Sequence, residues 1–138
     1  MSAAELTSLS VAELQARLRA KEVSPLEALE ALESRIARVD PAVHGYLSRD
    51  LEGARALAAR ADVSLPLGGV PIAIKDAINV QGEPCTCGSR ILENYRATYD
   101  ATVIRKLRGI TNKTQNQEPK WRHNRGELTT GYQPRWPN

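Results

Sequence analysis

The run Val70-Pro71-Ile72-Ala73-Ile74-Lys75-Asp76 constrains this chain more than any other feature. Short, β-branched and almost wholly apolar, it predicts a buried strand. A strand of this kind needs neighbours, and helices, strand, loop and helix in this order suggest an α/β layer rather than a bundle. Its last apolar residue is followed by Lys75, whose ammonium would then face a protein interior. Burial penalises the charged form of a lysine, and a lysine so placed can accept a proton near neutral pH. The competing reading is a side chain that leaves the strand and reaches water.

The residues before the strand read as helices. Ser10-Val11-Ala12-Glu13 has capping-box spacing, with Leu9 and Leu14 placed as a hydrophobic staple. Ser24-Pro25-Leu26-Glu27 is a second box, with proline at the first helical position. Leu26, Leu29, Leu32, Ile36 and Val39 then follow a helical period, and Asp40-Pro41 predicts the end of that helix. Asp50 predicts the cap of an alanine-rich helix through about Ala61. After the strand comes a turn-rich stretch, Ala77 to Thr98, long enough to be functional, with a short strand expected around Ile78–Val80. Asp100 predicts the cap of a helix over Ala101–Arg108.

The expected class is α/β, with N-terminal helices leading into the first strands of an incomplete sheet. The expected divisions are 1–64, helical; 65–108, the start of an α/β core carrying Lys75; and 109–138, a divergent, weakly structured tail. The net charge of +3 resides in that tail: residues 1–108 balance, whereas 109–138 hold five Lys or Arg against two acidic residues. Lys113, Lys120, Arg122, Arg125 and Arg135 alternate there with Trp121, Tyr132 and Trp136. This pattern allows a small nucleic-acid-binding module, although no RNA-binding motif accompanies it.

Other chemistries have thinner support. Cys85 and Cys87 lie one residue apart and far from His44 and His123, a spacing unlike a zinc site. Both cysteines read as reduced thiols in a turn. No metal site is expected. No run reaches the length of a membrane span, and Met1-Ser2-Ala3-Ala4-Glu5 has no secretory pattern, so no membrane partner is expected and the expected compartment is the cytoplasm.

Gly69-Val70-Pro71-Ile72-Ala73-Ile74-Lys75-Asp76, preceded by Leu67-Gly68, resembles the amidase signature family. Thr86-Cys87-Gly88-Ser89-Arg90-Ile91-Leu92 and Tyr99-Asp100-Ala101-Thr102-Val103 resemble one branch of it, the A subunits of aspartyl/glutamyl-tRNA(Asn/Gln) amidotransferases. The Val23-Ser24-Pro25 step is similar, and the resemblance covers about residues 8–108. It implies an amidase-signature mixed sheet and a catalytic Lys75, which takes a proton relayed from a nucleophilic serine through a second serine on a cis peptide. It implies glutamine as substrate, and ammonia passed on to convert Glu-tRNA(Gln) or Asp-tRNA(Asn). Partner subunits are implied for the misacylated tRNA and for ATP with magnesium; no cofactor is implied for this chain. A generic amidase-family hydrolase is the alternative within the family. A docking piece, its helical faces laid on partner subunits, is another.

One departure stands out. Both serines of the relay belong to a glycine- and serine-rich stretch expected after Leu107, but residues 109–138 hold no serine. Only Thr111-Asn112 echoes the next expected strand. A shifted reading frame, a fusion and divergence all fit. Without those serines the 138 residues are expected to be inactive alone. Ser89 is the remaining nucleophile candidate, though serine after glycine is ordinary in a turn. Asp76 is a candidate acid or base, or a partner for nearby backbone or for Lys75.

Overall fold

The computed structural model describes residues 2–111. The tail features from position 112 onward, including His123 and the basic and aromatic residues, lie outside the described residues.

Five helices carry the described chain. The first, α1 (Ala3–Leu6), was not anticipated, yet its box is written in Ser2-Ala3-Ala4-Glu5: the Ser2 hydroxyl accepts from the Glu5 amide and the Glu5 carboxylate accepts from the Ser2 amide. The same reciprocal pair opens α2 (Val11–Arg19) at Ser10 and Glu13, and α3 (Pro25–Val43) at Ser24 and Glu27. At α4 (Leu51–Ala59) the Asp50 carboxylate accepts from the Gly53 amide at 2.9 Å. The last, α5, spans Thr102–Thr111.

Besides α5 running on to Thr111 rather than ending at Arg108, two helix boundaries differ from expectation. Pro41 lies inside α3, which continues to Val43. A proline in the last turn forfeits one amide bond and leaves the others intact. The stop is His44, in the left-handed region at φ 54°, with its amide on the Asp40 carbonyl at 2.7 Å. The Asp40 carboxylate then receives the Gly45 amide at 2.7 Å and the Tyr46 amide at 3.3 Å. The second difference is Asp100, which sits one residue too early to cap α5. Its carboxylate accepts the Gln81 amide at 2.8 Å and pairs with Arg108 at 2.8 Å. It therefore fastens the long loop to α5 instead of starting the helix.

The core is small. Leu18, Val23 and Ala28 are buried together, with Leu6, Leu14, Val63 and Val70 packed against them. Of the predicted apolar side of α3, Leu29, Leu32 and Ile36 are half-buried and Val39 is exposed; the fully buried residues are Ala28 and Ala31. Both α1 and α4 lie against α3. Arg55 on α4 pairs with Glu33 on α3. Gln15 on α2 donates to the Leu65 carbonyl at 3.0 Å and also to that of Pro66.

The turn before the apolar run depends on its two glycines. A Cβ on Gly68 would stand 1.8 Å from the Asp62 carbonyl oxygen. Gly69 has φ +79°, and a Cβ there would meet Pro25 Cγ at 2.7 Å. These contacts set the start of the run against the first turn of α3.

From there the chain extends through residues 70–75, and among the described residues no strand is assigned. The run is not buried as expected: Ile72 is 42% exposed, Ile74 40%, and Lys75 is exposed. No described segment forms a β ladder with it, and the helices beside it leave its isoleucines partly open. At Ile78–Val80 likewise no strand is assigned: the Ile78 amide and the Val80 carbonyl close turns with Lys75 and Glu83, and Ala101 N–H reaches the Asn79 carbonyl at 2.9 Å. The β-type pairing among the described residues is an isolated antiparallel bridge, Pro84 with Arg96.

Candidate functional site

Lys75 closes the extended run. Its carbonyl accepts the Ile78 amide at 2.9 Å, which turns the chain immediately after the lysine. The side chain is exposed and makes no ion pair among the described residues. Asp76, next to it, is neither a proton donor nor a partner for the lysine.

Asp76 binds the loop ten residues on. One carboxylate oxygen accepts the Thr86 amide at 2.9 Å, and the other accepts the Thr86 hydroxyl and, at 3.4 Å, the Gly88 amide. Its backbone carbonyl receives the Cys87 amide and the Cys85 thiol, each at 3.2 Å. Burial acts to raise the Asp76 pKa, but the Thr86 hydroxyl and the amides of Thr86, Gly88 and Cys87 outweigh it and hold the carboxyl below its ordinary value. A carboxylate so stabilised is a weak base. Its role is to tie the residue after Lys75 to the Thr86–Ser89 turn.

That turn contains two consecutive left-handed residues, Cys87 at φ 51° and Gly88 at φ 68°. Cys85 is buried, and burial raises its pKa, helped by Cys87 and the Asp76 charge. It is an anchor rather than a reactive thiol. Cys87 is exposed. Among the described residues no group of three or more His, Cys, Asp or Glu side chains is arranged to hold a metal.

Ser89 begins the short 3-10 turn Arg90–Leu92. Its amide donates to the Thr86 carbonyl at 2.8 Å and its carbonyl accepts from Leu92 at 3.1 Å, while its hydroxyl caps nothing. No base is placed on that hydroxyl among the described residues, so Ser89 is built as a turn residue. The rest of the loop is braced by Gly82 N–H to Ala97 O at 2.8 Å, Ala97 N–H to Glu83 O at 2.9 Å and Cys85 N–H to Tyr95 O at 3.3 Å.

Beside the run lies an apolar groove of about 360 Å³. Its walls are Pro25 and Leu29 of α3, Leu57 of α4, Ile104 and Leu107 of α5, and the run itself through Val70, Ile72 and Ile74. Sequence reasoning allowed Asp76 a backbone partner but did not name Thr86, and it did not find the groove. The first joins residues with no local signature, and the second is assembled from separate helices.

The family model described as Amidase matches residues 27–110, which contain the run, the Asp76-bound loop and nearly all of α5. The chain belongs to the amidase family. It is 59% identical over 104 residues to the A subunit of the glutamyl-tRNA(Gln) amidotransferase from Methylacidiphilum infernorum, covering 75% of this chain and 21% of that protein. Proteins of the same name from Acidothermus cellulolyticus and Salinispora arenicola are 45% and 46% identical, each over 111 residues and 75% of this chain. The chain spans about a fifth of the length of these curated relatives. Among the described residues no helix is long and apolar enough to cross a membrane.

Proposed function

We infer that this chain is the N-terminal portion of the A subunit of an amidase-type amidotransferase. In this reading it is the opening of an α/β fold whose sheet begins with residues 70–75, and Lys75 is the base of a serine relay. The observation that carries the reading is the position of Lys75. It closes the one extended apolar run within the matched region 27–110, on a turn held by Asp76. The identity to proteins named as A subunits of glutamyl-tRNA(Gln) amidotransferases supports the tRNA-linked branch over a generic amidase.

The chemistry follows from the residue types. A serine hydroxyl attacks an amide only when its proton is removed, and a desolvated neutral lysine can do this through a second hydroxyl. The substrate is the side-chain amide of glutamine. The released ammonia is used on Glu-tRNA(Gln) or Asp-tRNA(Asn), with partner subunits holding the misacylated tRNA and the ATP and magnesium that activate it. The two serines are not supplied by these residues: Ser89 is the last serine in the chain and is committed to a turn.

The test is glutamine hydrolysis by the purified 138-residue protein. No turnover above the buffer rate is expected. Turnover abolished by Lys75→Ala would show that a nucleophile is present within the chain and would refute the incomplete-relay reading.

A further inference from the structure

We propose that Cys85 and Cys87 form a redox switch: a hydroperoxide joins them as a disulfide, and the closed bridge releases Thr86 from Asp76. The device goes beyond the function proposed above and needs no part of the serine relay.

The two cysteines meet on one atom. The Asp76 carbonyl oxygen receives the Cys85 thiol and the Cys87 amide, each at 3.2 Å, and the Cys87 side chain stands near enough to interact with the Cys85 thiol. Their surroundings differ: Cys85 is buried and Cys87 is exposed. Redox-sensing pairs combine an accessible sulfur, which reacts first, with a second thiol that resolves it. Cys87 has φ 51°, a conformation that side chains with a Cβ rarely adopt, so the turn is held by its bonds to Asp76 rather than by its own preference. Between the cysteines lies Thr86, whose amide and hydroxyl both bind the Asp76 carboxylate.

The chemistry balances without a further reactant. The Cys87 thiolate attacks a peroxide oxygen; an S–O bond forms and the O–O bond breaks. The departing oxygen takes the Cys87 proton and leaves as an alcohol, or as water from hydrogen peroxide. The Cys85 sulfur then attacks the resulting sulfenic acid. An S–S bond forms, the S–O bond breaks, and the hydroxide leaves as water with the Cys85 proton. Two thiols are oxidised and one peroxide is reduced. In the reduced protein Cys85 is an anchor, kept protonated by burial, so it does not start the reaction. Once deprotonated, a thiol of raised pKa is the stronger nucleophile toward a sulfur beside it. A disulfide admits few geometries. The bridged Cys85 sulfur has no proton to give the Asp76 carbonyl, and its swing toward Cys87 closes a small ring through Thr86. The Thr86 groups turn with that ring and leave the carboxylate. Because Asp76 follows Lys75, oxidation loosens the turn after the lysine.

The test treats the full 138-residue protein with hydrogen peroxide, blocks the remaining thiols and maps the tryptic peptide Asp76–Arg90, which holds both cysteines. The expected peptide has lost two hydrogen atoms and carries no label. Exchange of the Thr86 amide should rise by at least ~10-fold, and a thiol reductant should reverse both changes. Cys87→Ser, at an exposed position, should keep the Thr86 protection of the reduced protein and show neither change. Cys85→Ala should leave Cys87 to accumulate as sulfenic or sulfinic acid. A wild-type peptide that only gains oxygen, a bridge between two chains, or the same response in Cys87→Ser overturns the proposal. An internal bridge with Thr86 exchange within about twofold of the reduced protein also overturns it. Glutamine hydrolysis plays no part in these readouts, so failure of the proposed function leaves the switch standing.

Discussion

Replacing Asp76 by Asn tests the connection between the lysine turn and the Thr86 loop. The carboxylate accepts the Thr86 amide at 2.9 Å, the Thr86 hydroxyl and the Gly88 amide. Asn retains the size but loses the charge, and its amide nitrogen can meet the Thr86 hydroxyl only as a donor and cannot accept the Gly88 amide. Hydrogen bonds to a charged acceptor contribute about 1.5–3 kcal/mol each, less where water competes. With the Gly88 contact long and exposed, the loss is about 2 kcal/mol, or roughly 30-fold in the local opening equilibrium. Hydrogen exchange at the Thr86 amide reads this directly. A double-mutant cycle with Thr86→Val should give a coupling of about 1 kcal/mol, because the two residues share bonds. The pH dependence follows from the lowered Asp76 pKa. Its contribution is complete above the unfolded carboxyl value, about pH 4, and is lost as pH falls through the lower folded value. The wild-type protein should therefore lose Thr86 protection below about pH 4, and Asp76→Asn should lack that step. Exchange within about twofold of wild type, or strictly additive effects in the cycle, would refute the assignment.

Three further outcomes concern stability, and a fourth concerns the lysine. Gly69→Ala combines a left-handed φ with a Cβ 2.7 Å from Pro25, whereas Gly82→Ala has φ +85° and open space; thermal melts should show a loss of about 2–3 kcal/mol for the first and about 1 for the second. Ser24→Ala removes the hydroxyl that caps α3 and should cost about 1 kcal/mol by denaturant titration. The Glu27 pKa is lowered by the Ser24 amide and then its hydroxyl, so helicity at the start of α3 should fall as pH drops below about 4, and Glu27→Gln should flatten that change in circular dichroism. Lys75→Met should leave the melting profile of the free chain within about 0.5 kcal/mol of wild type, because the side chain is exposed and unpaired among the described residues.

Local signals read well from this sequence and distant ones did not. Ser10, Ser24 and Asp50 cap the helices they were expected to cap, because each cap is decided within four residues. Pro41 and Asp100 misled for opposite reasons. Proline is tolerated where a helix is already ending, and an aspartate before a helix can be claimed by a partner from elsewhere, here Gln81 and Arg108. The family was legible in Gly69–Asp76 because its motif is contiguous. The environment of Lys75 was not: the burial of an apolar run belongs to whatever lies beside it, and among the described residues Ile72 and Ile74 stay partly exposed.

That difference bears on how the lysine could act. The relay proposed above needs a lysine in a site from which solvent is excluded. Lys75 stands exposed at the end of a run whose main-chain groups at 72–74 are free among the described residues and whose isoleucines face an apolar groove. One strand laid on residues 72–74 would pair those groups, cover the isoleucines and displace water near the ammonium. Asp76 meanwhile holds the following turn in place through Thr86, so the position of the lysine is set before anything docks. In the proposed reading folding and chemistry are thus coupled at one edge: an element that pairs with residues 72–74 is also one that would exclude water from the end of the run, where Lys75 stands.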